Sequence, residues 1–257
     1  MREREQLENY TLDAFLGGRI TLFQPSKGYR ANIDSILLAA SVVAKEGQRV
    51  LELGCGVGTV LFSLMSRVQG LSAVGIESQK EYAKLAVRNA ERNGFNVDIV
   101  ACDISSIPST YKNLQYDHVV LNPPYFLFNN SMPLSNYDKN MSKREINLLL
   151  NDWIEVAIKR CSVRGEIILI HQAERLGDII KSIDGKLGDI KILPIVSFNG
   201  EYAKRIIVKG KKGSSASLKI LSPLVIHQRH SSNKSDDTYT KMAEAVLRKA
   251  SAIHWTL

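Results

Sequence analysis

The sequence predicts one main α/β domain, a mostly parallel seven-stranded sheet with helices on both faces and an antiparallel hairpin at the sheet edge. Three observations predict it. From residue 49 onward, short runs rich in Val, Ile and Leu alternate with longer segments of helical period, the rhythm of a parallel sheet covered on both sides. A glycine-rich turn joins the first of those runs to the first helix. The chain has 257 residues, 44% hydrophobic, with no repeat or low-complexity tract, which suffices for one well-buried core.

The elements follow in order. Residues 1–33 form an N-terminal extension, with a hairpin signalled by Gly17, Gly18 and the turn at 25–28, packed on a main domain at 34–257. Residues 34–44 read as a buried helix, with Asp34 placed as an N-cap or as a site residue. Strands are expected at 49–53, 73–76, 97–101, 118–121 and 166–170, with 190–197 and 205–209 as the closing hairpin. Helices are expected at 59–67 and after Glu77, the latter closed by Asn93 and Gly94, residues that tolerate left-handed backbone. Further helices are expected at 142–161, opened by a Ser142/Glu145 capping box, at 174–186, and at 237–254. The stripe Ile146, Leu149, Leu150, Trp153, Ile154, Ala157 and Cys161 reads as core packing. The polar segment 129–140 is too long for a tight connection and reads as a lid or mobile loop.

Composition bounds the function. The 34 Lys and Arg against 26 Asp and Glu give a net charge of +8, which favours a polyanionic partner or simply solubility. Three cysteines (Cys55, Cys102, Cys161), no CxxC pair and no histidine cluster argue against a disulfide framework and a metal site. The charged N-terminus and the absence of a run of about 20 apolar residues point to a cytoplasmic protein without membrane attachment.

The chemistry sits at the predicted strand ends. Gly54-Cys55-Gly56-Val57-Gly58 follows the first strand, where glycines let the chain turn sharply and let a ligand lie against main-chain atoms. The spacing is G-x-G-x-G, unlike the dinucleotide G-x-G-x-x-G that sets a helix N-terminus on a pyrophosphate. Glu52 repels a pyrophosphate but suits the cationic amino group of a methionine moiety. Glu77, with Ser78 beside it, ends the second strand where ribose-binding carboxylates sit, and its oxygens can accept from both hydroxyls. Asp103 can accept from an adenine amino group, with Ile104 against the ring. Together these order themselves around one adenosyl ligand, S-adenosylmethionine.

Asn122-Pro123-Pro124-Tyr125 ends the fourth strand, beside the switch point at which open α/β sheets bind ligands. An amide or aryl amine is a poor nucleophile because its lone pair is delocalised. The Asn122 side-chain oxygen and the Pro123 carbonyl can each accept one N–H and favour the more pyramidal, partly positive nitrogen of methyl transfer. The prolines stiffen the turn, and Tyr125 offers a flat face to a planar target. A rigid turn without function is the plain alternative. No general base is needed before attack, since the methylated nitrogen is itself acidic.

The glycine turn and the Asn-Pro-Pro-Tyr turn resemble those of the Rossmann-like class I amino-methyltransferases, which include adenine-N6 enzymes and glutamine-N5 enzymes. A closer resemblance lies in Thr11-Leu12-Asp13-Ala14-Phe15-Leu16-Gly17-Gly18, in Gln24-Pro25, in the run from Gly28 to Ala39, in Pro223-Leu224-Val225-Ile226-His227, and in Tyr239-Thr240. These are similar to the bacterial tRNA1(Val) adenine-37 N6-methyltransferases. The resemblance implies that Asn122 to Tyr125 hold the target amine, and that Gly54, Gly56, Gly58, Glu77 and Asp103 hold the cofactor. It also places Arg30 and Asp34 in the segment that closes over the cofactor's methionine end. RNA, tRNA foremost, is then the expected partner of a monomeric enzyme. The basic stretches Lys209-Gly210-Lys211-Lys212 and 229–234 support this, as do the aromatics Tyr125, Phe126 and Phe128. Another RNA such as rRNA, a protein glutamine side chain, and a non-catalytic module that keeps the fold remain as alternatives. The glutamine reading lacks the long helical N-terminal domain such enzymes carry, and the intact Asn-Pro-Pro-Tyr turn speaks against a retired site.

Overall fold

The computed structural model describes residues 9–125, 150–229 and 238–255. The chain opens with a hairpin of β1 (Tyr10–Phe15) and β2 (Ile20–Pro25), antiparallel and turned by Leu16, Gly17 and Gly18, all at positive φ. Helix α1 (Ile33–Ser41) leads to β3 (Arg49–Leu53), α2 (Thr59–Met65), β4 (Ser72–Glu77), α3 (Lys80–Asn93), β5 (Asp98–Ala101) and β6 (Tyr116–Leu121). Beyond the next gap lie α4 (Leu150–Arg160), β7 (Cys161–Gln172), α5 (Leu176–Ile183), β8 (Leu187–Val196) and β9 (Arg205–Lys212). Two-residue strands β10 (Lys219–Ile220), β11 (Leu224–Val225), β12 (His227–Gln228) and β13 (Thr238–Tyr239) precede α6 (Lys241–Lys249).

Seven strands form the body of the sheet in the order β8-β9-β7-β6-β3-β4-β5, with β10 and β11 pairing along the outer side of β8. The expected closing hairpin is present, but its second strand is not at the edge. Strand β9 is inserted between β7 and β8, antiparallel to both, so β8 runs parallel to the rest.

Side chains alternate along each strand between two cores, as a pleat buried on both faces requires. Val50, Val120, Ile168, Ile170 and Ile207 join the core under α1, α2 and α6. Leu51, Leu53, Val119, Leu121, Ile167, Leu169, Ile206 and Val208 join the core under α4 and α5. Each fully buried Leu or Ile contributes about 1.5–3 kcal/mol relative to exposure. The same alternation puts Glu52 on the α1/α2 side, where it is buried.

Several expectations are corrected. Asn32, not Asp34, caps α1, its side chain accepting the Asp34 N–H at 2.9 Å. Asn93 stays helical, and Gly94 alone takes the left-handed position at φ +69. Cys161 opens β7 rather than closing α4, because Arg164 at φ +68 and a register shift before His118 let the strand start irregularly. Helix α6 is shorter than expected. The Thr240 hydroxyl accepts from Ala243 N–H at its start, and Ala250 turns left-handed at its end. The Ser142/Glu145 box, Ile146, Leu149, Phe126, Phe128 and the 129–140 segment lie outside the described residues.

The hairpin docks through side-chain amides. Strand β2 would leave the N–H and C=O groups of Thr21 and Phe23 unpaired on its outer edge. Asn93 accepts from Thr21 N–H at 3.0 Å and donates to its carbonyl at 2.9 Å. Asn89, fully buried, does the same for Phe23 at 2.7 and 3.1 Å, and also donates to the Val57 carbonyl. Four residues of helix rise about 6 Å and two of strand about 6.6 Å, so two asparagines one turn apart match alternate strand residues. Through Asn89, the hairpin and the glycine turn share one anchor.

Candidate active site

Strand order decides whether the two sequence motifs meet. Strand β3 lies between β4 and β6, with Leu53 level with Ile76 on one side and Leu121 on the other. The glycine turn after β3, Glu77 at the end of β4 and Asn122 after β6 therefore emerge side by side at the carboxyl end of the sheet. They line one cavity of about 430 Å³ together with Asp103, Ile104, Trp153 and Arg205.

The cavity wall is backbone held by carboxylates. Gly54 and Cys55 donate their N–H groups to the Ile76 carbonyl at 2.8 and 2.9 Å, which sets the turn. Glu77 Oε2 accepts the Gly56 N–H at 2.7 Å, and Oε1 accepts the Gln79 N–H at 2.9 Å, with the Ser78 hydroxyl at 3.4 Å. Gly56 has positive φ, and a Cβ built on it meets no protein atom, so hydrogen there leaves cavity space. Gly58, at φ +88, starts α2, and a Cβ there would fall 2.1 Å from the Phe62 ring. Gly54 is needed for another reason, since Trp153 lies against it, 2.9 Å from where a Cβ would stand.

Three polar groups mark what the cavity fits. Glu52, 2% exposed, accepts the Leu61 N–H at 3.3 Å. Burial first, and then neighbouring Glu77, push its carboxyl well above the ordinary carboxylate range, and a cationic group beside it would favour the ionised form again. Thr59 lines the cavity with a buried hydroxyl that has no hydrogen-bond partner among the described residues. Asp103 accepts the Ser105 N–H at 2.7 Å through Oδ1 and so caps a turn, while still lining the cavity beside Ile104. A cation near Glu52, donors near Glu77 and a planar group near Asp103 and Ile104 describe an adenosyl-amino acid ligand.

Asn122, Pro123, Pro124 and Tyr125 all line the cavity, and the Asn122 amide has no hydrogen-bond partner among the described residues. Tyr125, by contrast, is held on several sides. Its hydroxyl donates to Asp34 Oδ2 at 2.9 Å, and Arg205 Nε donates to the same oxygen at 3.1 Å. The Arg205 guanidinium lies 4.8 Å from the centre of the Tyr125 ring, and the His171 ring packs at 4.9 Å, tilted by 58°. Burial, then Asp34, push the Tyr125 hydroxyl far upward, so it stays protonated and donates. His171 is pushed down to about 4 by burial and then by Arg175 and Arg205. Its Nδ1 accepts the Gln172 N–H at 2.8 Å, which puts the proton of the neutral ring on Nε2.

The structure thus separates two candidates that looked alike in sequence. Asp34 works on Tyr125 rather than as a cap. Arg30 lines the cavity, but its guanidinium pairs with Asp13 and donates to Thr11 Oγ1 and the Pro25 carbonyl, each at 2.9 Å for the latter two. It therefore fastens the cavity rim to the hairpin. Arg205 and His171 carried no motif, and Trp153 looked like plain core packing. Their positions depend on β7 lying next to β6, on β9 lying next to β7 and on α4 packing over the sheet, which local pattern does not encode.

The basic stretch at 209–212 is largely consumed within the fold. Lys209 is 6% exposed, pairs with Glu166 at 3.3 Å and sits 4.5 Å from the Trp255 ring. Lys212 donates to the Ile158 and Cys161 carbonyls at 2.7 and 2.8 Å. Of the 229–234 stretch only Arg229 is described. Among the described residues no group of three or more His, Cys, Asp and Glu is placed to hold a metal, and no helix is long and apolar enough to cross a membrane.

The tRNA1(Val) (adenine(37)-N6)-methyltransferase of Actinobacillus pleuropneumoniae serotype 7 is 28% identical over 181 residues, covering 70% of this chain and 75% of the relative. The Porphyromonas gingivalis protein of the same name is 28% identical over 196 residues, covering 71% and 76%. Among solved structures, a protein described as a predicted O-methyltransferase from Agrobacterium tumefaciens superposes with a TM-score of 0.67 at 24% identity, covering 86% of this chain and 98% of that one. The family model described as a methyltransferase domain matches residues 44–200, the stretch that supplies the glycine turn and the acidic and asparagine-bearing strand tips. By that match the chain belongs to the methyltransferase domain family.

Proposed function

We propose that this chain transfers a methyl group from S-adenosylmethionine to the exocyclic N6 amine of an adenine in RNA, with a tRNA of the tRNA1(Val) A37 kind as substrate. The observation that carries the reading is the single cavity into which the glycine turn of β3 and the Asn-Pro-Pro-Tyr turn of β6 both open. The names of the relatives support adenine in tRNA as the target, and the net charge of +8 suits a polyanion.

When bound, S-adenosylmethionine supplies an electrophilic methyl carried on a sulfonium. Glu52 meets its ammonium group, Glu77 and Ser78 its ribose, and Asp103 with Ile104 its adenine, while Gly54, Gly56 and Gly58 keep the wall free of side chains. Asn122 Oδ1 and the Pro123 carbonyl accept the two N–H groups of the target amine and aim its lone pair across the cavity. These acceptors gain strength as the nitrogen becomes positive, which lowers the barrier. Pro124 stiffens the turn, and Tyr125, held by Asp34 and Arg205, flanks the target ring. An adenine must leave its stack to enter, so a single-stranded loop is a more economical target than a duplex.

The test is mass spectrometry of nucleosides from tRNA incubated with the chain and labelled cofactor. Labelled N6-methyladenosine is the expected product. Label in protein glutamine, or in a different nucleoside, would replace the reading.

A further inference from the structure

Beyond the cavity, the carboxyl end of the sheet carries a row of three rings with an arginine at each end that the proposed chemistry does not use. Arg229 lies 4.3 Å from the centre of the Phe198 ring, Phe198 packs on His227 at 5.6 Å, and His227 stacks on Tyr239 at 5.1 Å and 22°. Arg248 closes the row, 5.8 Å from Tyr239. Backbone bonds fix its base. His227 N–H donates to the Ser197 carbonyl at 2.8 Å, Ile226 N–H to Val196 at 3.0 Å, and Thr240 N–H to Ile226 at 2.9 Å.

Topology sets where this row stands. Phe198 follows the carboxyl end of β8, which runs parallel to β6, so it emerges at the same end of the sheet as Asn122. Three strand spacings, from β6 across β7 and β9 to β8, give a lateral offset of about 14 Å. The register sets Asn122 level with Leu193, so Phe198 lies five residues, about 17 Å, further along the strand direction. The two stand roughly 22 Å apart, a span of several nucleotides. Arg205, level with Ile195 of β8 and lining the cavity, stands between them, with exposed Lys204 before it. A cationic edge therefore leads from the target-amine site to the row. Phe198 and His227 are half-buried at the base, and Arg229 is exposed at the tip. Its ion pair to Glu201 at 3.0 Å is a solvent-exposed contact that a phosphate can replace at little cost.

We infer that Phe198, His227 and Arg229 form a platform for nucleotides on one side of the target adenine, several positions away from it. On it a base stacks against the Phe198–Arg229 layer while the Arg229 guanidinium meets a backbone phosphate. Stacked rings flanked by guanidinium groups suit single-stranded RNA, because every base has a face to stack and every linkage a charge to neutralise. This rests on the RNA reading of the active site.

The experiment compares the wild type with Phe198→Ala, Arg229→Ala and Arg229→Lys, using unmodified tRNA transcript and labelled cofactor. Phe198→Ala is expected to raise KM for RNA about tenfold, as loss of one stacked base does, with kcat at saturating RNA and cofactor affinity retained. Arg229→Ala is expected to lower the slope of log affinity against log salt by about 0.7, one phosphate contact, and Arg229→Lys to restore that slope but not the KM. Wild-type methylation of tRNA with all three variants unchanged in KM and salt slope overturns the platform alone. So does a Phe198→Ala variant whose kcat, cofactor affinity and melting temperature fall together, the mark of a purely structural residue. A wild type that leaves tRNA unmethylated overturns the RNA reading, and the platform with it.

Discussion

Asp34→Asn tests how the Asn-Pro-Pro-Tyr turn is held. Asp34 Oδ2 receives the Tyr125 hydroxyl at 2.9 Å and Arg205 Nε at 3.1 Å, from residues far apart in the chain. The asparagine keeps the shape and can still accept from Tyr125, but the bond becomes neutral. Charge-assisted bonds contribute about 1.5–3 kcal/mol and neutral ones about 0.5–1.5, so roughly 1 kcal/mol is lost there. The Arg205 partner is about one-third exposed, at 32%, and its share is discounted to at most about 1 kcal/mol by solvent screening. The total, roughly 1–2 kcal/mol, corresponds to a fall of about 5- to 30-fold in kcat/KM if it is felt in the transition state. Steady-state methylation of tRNA with labelled cofactor measures it, alongside calorimetric cofactor affinity, which is expected to stay level. Tyr125→Phe in the Asp34→Asn background is expected to cost little more than either change alone, because both remove one coupling. Wild-type turnover in Asp34→Asn, or fully additive losses in the double variant, would refute the coupling.

Asn122→Ala is expected to leave cofactor binding intact and to cut turnover about a hundredfold or more, read by single-turnover kinetics. Glu77→Ala is expected to weaken cofactor affinity about tenfold or more in calorimetry, since it removes the proposed ribose acceptor and frees the Gly56 N–H that it holds at 2.7 Å. Gly58→Ala places a Cβ 2.1 Å from the Phe62 ring at a positive φ, and urea unfolding is expected to show a loss of roughly 2–4 kcal/mol. His171 is held down at about 4, below its unfolded value, so the folded state takes up its proton later than the unfolded chain. The stability this provides is complete above the unfolded value of about 6.5 and is lost as pH falls toward 4. The melting temperature of His171→Gln is therefore expected to fall less steeply than that of the wild type across that window; parallel curves would contradict the assignment.

Sequence and fold contribute differently to this site. The succession of strands and helices was legible because apolar period is a local property, and each of the four strand tips announced itself by residue type: glycines, Glu77, Asp103, and Asn122 to Tyr125. Errors gathered at element ends, such as Cys161 and the termini of α6, where backbone handedness and capping compete with period.

The sequence by itself determined the chemistry on offer: the residue types at the strand tips, the two buried faces of each strand, and the preference of Gly56 and Gly58 for positive φ. Tertiary structure alone decided which groups share a space. Asp34, Tyr125 and Arg205 meet only because α1 packs near the tip of β6 and β9 lies one strand beyond β7, and Lys209 is withdrawn from solvent only because Glu166 and Trp255 close over it. A pattern along the chain says that a side chain faces inward or outward. Which partner it finds there depends on strand order, and strand order is settled by non-local packing that no local window contains.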